Sequence, residues 1–230
     1  MGFREVEVSG LYGLTAPVFF AELTKAGLEP KSMIAAWAEF DRRSDQVAEQ
    51  AKILGVKYVV CGNIPTRGNA LTPEECRMAI GRFNRWAEAL GKAGLTYCYH
   101  PHGPEFQPSP DGTLFDTLVR GTREAGVEFE LDTFWVVHGG EDAAGLLRRY
   151  PGRFPLSHIK DKRKGTPLHV HPRDVAEEDS VVLGTGMVDW KSFLREAQRA
   201  GMKHYFIEEE HPDAVSQIPE SVRYLRSLQL

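Results

Sequence analysis

The chain has 230 residues, 42% hydrophobic and 26% charged, and its formal charges sum to 28 − 32 = −4 with histidine neutral. That length suits one domain, residues 1–230, with ample chain for a buried core. So small an acidic excess gives no electrostatic footprint for nucleic acid, and the short apolar runs cannot span a bilayer.

Strand and helix patterns then alternate seven times along the chain. Met1-Gly2-Phe3 leads directly into the first strand pattern, Glu5–Ser9, with no signal-peptide h-region before it. Thr15 before Pro17, with Gly27 after, brackets the first helix. Pro30–Ala36 is the second strand pattern, and Ser44 and Gly55 cap and stop the helix that follows. Lys57–Gly62 is the third. Thr72-Pro73-Glu74-Glu75 then reads as an N-cap, a proline at the first helical position and a capping-box glutamate. Thr96–His100, Glu128–Asp132, Pro155–Lys160 and His204–Glu208 are the remaining strands, and Asp189 and Gly201 bracket the helix before the last of them. Cys61, Cys76 and Cys98 show no CxxC spacing, and Cys61 and Cys98 sit in apolar strand runs, so a reducing, cytoplasmic setting is expected.

Seven βα units predict a parallel α/β sheet with helical crossovers. An open nucleotide-binding sheet would carry a glycine fingerprint after its first strand, but Ser9-Gly10-Leu11-Tyr12-Gly13 lacks the G-x-G-x-x-G spacing and there is no P-loop. Acids and imidazoles gather instead where strands end: His100 and His102, Asp132, His158 with Lys160 and Asp161, and Glu208. Polar residues delivered to one rim by several strands describe the catalytic face of a (β/α)8 TIM-type barrel. The reading is such a barrel, one βα unit short at its start.

Each of these residues also has a structural explanation. Asp132 reads alone as an N-cap, His158 as a satisfied core histidine, and Glu208 in Glu208-Glu209-Glu210 as part of a solvated turn. Lys160 reads equally as a solvated lysine in a basic run with Lys162, Arg163 and Lys164. Together those explanations become costly, because ionisable groups at an inner rim are desolvated unless paired or metal-bound. Asp, Glu and neutral His are ligands for Mn²⁺, Mg²⁺, Co²⁺ or Zn²⁺.

The segments Tyr99-His-Pro-His-Gly-Pro-Glu-Phe106, Glu130-Leu-Asp-Thr-Phe-Trp-Val136, His158-Ile-Lys-Asp161, Leu183-Gly-Thr-Gly-Met-Val-Asp-Trp190 and His204-Tyr-Phe-Ile-Glu-Glu-Glu210 resemble, in that order, the sugar phosphate isomerase/epimerase family with its xylose-isomerase-like barrel. The resemblance implies one divalent metal ion (Mn, Co, Zn or Mg) held by Asp132, His158 and Glu208. The family's fourth ligand is commonly a glutamate on the strand matching Thr96–His100; here that strand offers Cys98, His100 and His102, and His100 is nominated. Trp135 stands where ketose epimerases often carry a substrate-binding histidine, so it is either a packing residue or a platform for a sugar's apolar face.

The chemistry the resemblance implies is proton abstraction next to a carbonyl. Glu208 is the expected base, Lys160 the acid or oxyanion stabiliser, and His102 the group that returns the proton. The expected activity is isomerisation or epimerisation of a sugar or sugar phosphate. The alternatives are a lyase or dehydratase acting on a keto-sugar or inosose, and a non-catalytic truncated barrel. A homo-oligomer is expected, with a small-molecule carbohydrate as substrate and neither nucleic acid nor membrane as partner. His169 and His171 read as part of a lid or surface loop, and Gly184-Thr-Gly186 as a tight turn in preference to a phosphate contact.

Overall fold

A computed structural model describes residues 1–68, 70–169 and 171–229. Its contacts divide the chain into two compact units, one of Gly2–His100 with Leu114–Glu128, the other of Met1, Pro101–Thr113 and the chain from Phe129 onward. Among the described residues no helix is long and apolar enough to cross a membrane.

The first unit contains four parallel strands, β1 (Glu5–Val8), β2 (Glu29–Ile34), β3 (Tyr58–Cys61) and β4 (Thr96–Tyr99), each paired with the next. Its helices are α1 (Ala16–Lys25), α2 (Trp37–Leu54), α3 (Pro73–Lys92) and α4 (Leu114–Gly121). The capping box of α3 forms as its spacing predicts: Thr72 Oγ1 accepts from Glu75 N at 3.2 Å, and Glu75 Oε2 accepts from Thr72 N at 2.9 Å. The start of α2 corrects the sequence reading. Ser44 does not cap this helix, which begins at Trp37, and Ser44 only follows an internal break at Arg43 (φ −156°, ψ 48°). Glu39 supplies the missing signal from inside the helix, its Oε2 accepting from Ala36 N at 2.9 Å. The early start also has a packing cause. It buries Trp37 and Phe40 in an aromatic core where Trp37 meets Trp86 edge-on at 4.7 Å and Phe40 stacks on Trp86 at 5.0 Å. Phe83 lies 4.7 Å from Tyr99 in the same cluster, which ties α2 and α3 to β4. Cys61, Cys76 and Cys98 are thiols buried in this unit, and burial pushes the Cys61 thiol up to about 11.

The second unit contains β5 (Glu128–Asp132), β6 (Leu156–Ile159) and β7 (His204–Ile207), again parallel, with α5 (Thr133–His138), α6 (Ala143–Arg149), α7 (Trp190–Ala200) and α8 (Ala214–Ser227). Strand β6 is shorter than Pro155–Lys160 because a side chain takes over its ladder. Thr133 Oγ1 accepts from Lys160 N at 3.0 Å and donates to Lys160 O at 2.7 Å. Beyond β6, the fully buried Asp161 gathers five N–H donors. Oδ1 accepts from Lys162 N and Val188 N, and Oδ2 from Gly184 N, Gly186 N and Trp190 Nε1, at 2.8–3.1 Å. This carboxylate folds Gly184-Thr-Gly186 into its turn. Gly184 sits at φ +87°, where a Cβ would lie 2.3 Å from the Tyr224 ring.

Candidate active site and metal centre

Strand period and register place the site within the second unit. Residues two apart on a strand share a face, so Glu130 and Asp132 on β5 point the same way, as do His158 and Lys160 at the end of β6. The ladder sets Asp132 beside His158 and His158 beside Phe206, which brings Glu208 up to Lys160 just past the strand ends. Asp132, His158, Lys160 and Glu208 therefore converge at the carboxyl ends of three adjacent strands. Chain separations of 26 to 50 residues collapse to side-chain distances below 4 Å.

Asp132 serves two purposes. Its Oδ1 caps α5, accepting from Phe134 N at 2.7 Å and Trp135 N at 3.0 Å, while Oδ2 lies 3.8 Å from His158 Nδ1. The N-cap explanation therefore holds for Oδ1, while Oδ2 faces His158. Glu208 Oε1 approaches the same His158 Nδ1 at 3.4 Å. Burial, then the charge of Glu208, pushes the Asp132 carboxyl up to about 7, opposed by Lys160, His158 and the Trp135 amide. The donor set fits a divalent cation. With metal–ligand bonds of about 2.1 Å, neighbouring ligands stand roughly 3.0–3.4 Å apart in octahedral or tetrahedral geometry. The separations of 3.4 and 3.8 Å need only a small contraction. Two carboxylates crowded onto one imidazole in a buried place also call for positive charge.

Lys160 is only 1% exposed, so it is not the solvated lysine that its basic run allows. Its Nζ donates to Glu208 Oε2 at 3.2 Å and to Glu210 Oε2, and lies 5.0 Å from the Phe134 ring centroid and 5.8 Å from that of Trp135. Desolvation works against its charge, but Glu208, Asp132 and Glu210 outweigh it and raise the Lys160 pKa, so the side chain stays an ammonium. Lys162 is likewise buried and pairs with Asp179 at 3.5 Å. The triple glutamate is more than a solvated turn: Glu208 faces His158, Glu209 Oε1 accepts from Ser180 Oγ at 2.7 Å, and Glu210, itself exposed, holds Lys160.

Trp135 and His102 are also brought together, with ring centroids 5.2 Å apart. Trp135 is 7% exposed, and its ring lies near the Lys160 ammonium. The backbone N of His102 donates to the buried Glu105 at 3.0 Å, which anchors its loop. His100 follows β4 in the other unit, where its N donates to Cys61 O at 2.9 Å. Glu130 was not singled out from the sequence. It is fully buried, with Oε2 3.4 Å from His158 Nε2. The signal was the two-residue spacing in Glu130-Leu-Asp132, which sets both carboxylates on one strand face. His169 is exposed at positive φ (59°), its N donating to His138 O at 2.9 Å; His171 accepts from Arg173 N at 3.1 Å.

Residues 35–228 match the profile of the xylose isomerase-like TIM barrel. The chain belongs to that family. The xylose isomerase-like barrel accounts for the seven βα units and for polar residues at the strand ends. Among curated relatives, an inosose dehydratase of Geobacillus thermodenitrificans is 24% identical over 92% of this chain and 79% of its own length. An inosose dehydratase of Lacticaseibacillus casei is 27% identical over 62% of this chain and 49% of its own. Among solved structures, a sugar phosphate isomerase/epimerase from Parabacteroides distasonis superposes with a TM-score of 0.79 at 22% identity, covering 98% of this chain and 84% of that one. The IOLI protein with a binding zinc atom superposes with a TM-score of 0.77 at 18% identity, covering 97% and 87%. At these identities the structural likeness is one of fold. The relatives of this xylose isomerase-like barrel are named as enzymes, dehydratases and isomerase/epimerases among them.

Proposed function

We propose that this protein is a divalent-metal-dependent enzyme that removes the proton next to the carbonyl of a keto-sugar or inosose, and that elimination of water follows. The observation that carries the reading is the buried Lys160 ammonium, 3.2 Å from Glu208 Oε2, beside a His158 flanked by Asp132 and Glu208. Asp132, His158 and Glu208 would hold the metal, with His100 as a further ligand on the strength of its place in the sequence. When bound, the ion supplies Lewis-acid stabilisation of negative charge on the substrate oxygens.

The remaining chemistry belongs to side chains. Glu208 takes the α-proton, and the C–H electron pair moves into the enolate. As that pair forms the C=C bond, the β-carbon–oxygen bond breaks, and Lys160 gives the departing hydroxyl the proton with which it leaves as water. The proton on Glu208 then passes to Lys160 along their hydrogen bond, which restores both groups. Trp135 offers a flat apolar face against the sugar's C–H surface, with His102 at its edge. Elimination is preferred to the isomerisation or epimerisation put first from sequence, for two reasons. The curated relatives that match most of the chain are inosose dehydratases, and a proton-bearing ammonium stands 3.2 Å from Glu208, where a leaving group could take its proton. The same proposal has residues 1–230 acting as one domain of a cytoplasmic homo-oligomer that binds neither nucleic acid nor membrane.

The test incubates the Mn²⁺- or Zn²⁺-loaded protein with inososes and ketoses, free and phosphorylated, in deuterium oxide, and follows products by mass spectrometry. A product lighter by one water supports elimination. Deuterium uptake without loss of water would transfer the assignment to isomerisation or epimerisation, for which the Parabacteroides likeness is the precedent. Neither outcome with any substrate, at full metal occupancy, would refute the enzyme reading.

A further inference from the structure

The imidazole of His158 lies between acids on both ring nitrogens. Nδ1 faces Asp132 Oδ2 at 3.8 Å and Glu208 Oε1 at 3.4 Å, while Nε2 faces Glu130 Oε2 at 3.4 Å. The two sides are chemically different. Glu208 reaches the site from past the end of β7 and is half-buried, so the Nδ1 side opens toward the place where substrate must enter. Glu130 is fully buried two residues deeper on β5 and set by the ladder opposite Leu156, on the closed side of the ring.

We infer that Glu130 is a positioning residue, which keeps the proton of His158 on Nε2 and so turns the Nδ1 lone pair toward the metal. Neutral imidazole carries one proton, and a ligand nitrogen must be the one without it. An anionic acceptor on the far nitrogen selects that tautomer, fixes the ring plane and makes the ligating nitrogen more basic. Opposite Glu130 on the same face of the ladder is the buried Leu156. A fully buried carboxylate there is costly unless it has work to do on a polar neighbour, and His158 Nε2 is within 3.4 Å. This inference rests on the metal-centre reading given above and adds a residue to it.

The experiment compares parent protein with Glu130→Gln and Glu130→Leu. Zinc affinity is read by competition with a chelating indicator, the protonated nitrogen of His158 by nitrogen-15 NMR of the zinc-loaded, histidine-labelled protein, and fold integrity by melting of the metal-free forms. The expected result is a zinc-loaded parent with His158 bound through Nδ1 and carrying its proton on Nε2. Glu130→Leu should bind zinc about 10- to 100-fold more weakly, and Glu130→Gln, which keeps an acceptor oxygen, should recover part of the loss. Should Glu130→Leu fail to fold, Glu130→Gln against the parent decides by the same affinity and tautomer readouts. A parent that binds zinc through His158 Nε2, or Glu130 variants that fold and bind with parental affinity, would overturn this inference alone. A parent that takes up no zinc overturns the metal centre and this inference with it.

Discussion

Replacing Asp161 by Asn should destabilise the protein strongly without touching the proposed metal ligands. The carboxylate accepts two N–H bonds on Oδ1 and three on Oδ2, all from donors. An asparagine has one oxygen to offer. Its better orientation keeps the oxygen toward Gly184, Gly186 and Trp190, and sets its NH₂ against Lys162 N and Val188 N. Two charge-assisted hydrogen bonds are then lost and replaced by donor–donor contacts. At about 1.5–3 kcal/mol for each such bond, the loss comes to about 3–6 kcal/mol. Asp161 is fully buried, so solvent does not dilute the effect. For a chain of this size, each kcal/mol moves the melting temperature by about 2–4 °C, so a fall of about 6–24 °C is expected. Differential scanning calorimetry of Asp161→Asn beside the parent measures it directly. A melting temperature within 2 °C, roughly the shift from a single kcal/mol, would show that the five-donor cradle is not what holds the Gly184–Gly186 turn.

Gly184→Ala tests the same turn from the other side: a Cβ at φ +87°, 2.3 Å from the Tyr224 ring, should lower stability by at least about 1–2 kcal/mol from backbone strain alone, read by urea unfolding. Thr72→Ala removes the N-cap of α3 and should cost about 1 kcal/mol in the same assay. Glu75→Gln should destabilise at neutral pH and become equal to the parent in acid. The Glu75 carboxyl is held below its ordinary value by the Arg67 and Thr72 amides, so its contribution is present above the unfolded pKa and disappears as pH falls through the folded one; a pH series of unfolding midpoints shows whether the gap closes. Lys160→Met should retain metal uptake while lowering turnover about 100-fold or more, and an unchanged kcat would remove Lys160 from the chemistry.

The seven strands were legible in the sequence because a buried parallel strand is a short apolar run, and such runs stand out between glycines and caps. Local chemistry was equally readable: Thr72 and Glu75 are three residues apart, and the box they form needs no other part of the chain. The start of α2 was not, because Ala36 offers no capping side chain and the aromatic packing of Trp37 and Phe40 against Trp86 is tertiary. At the site, residue types and their order along the chain pointed to Asp132, His158 and Glu208. Their convergence depended on the parallel register of β5, β6 and β7. Lys160 and the glutamate run mark the boundary most clearly. A basic run and an acidic run each look solvated by themselves, because isolated charges stay in water. Only the fold brings Lys160 to Glu208 and Glu210, across about fifty residues of chain, where the carboxylates make the burial of the ammonium tolerable. Composition and local spacing therefore determined the elements and the kinds of group at the strand ends. Tertiary structure decided which of those groups share a dehydrated space, because electrostatic pairing depends on distance in space and not on distance along the chain.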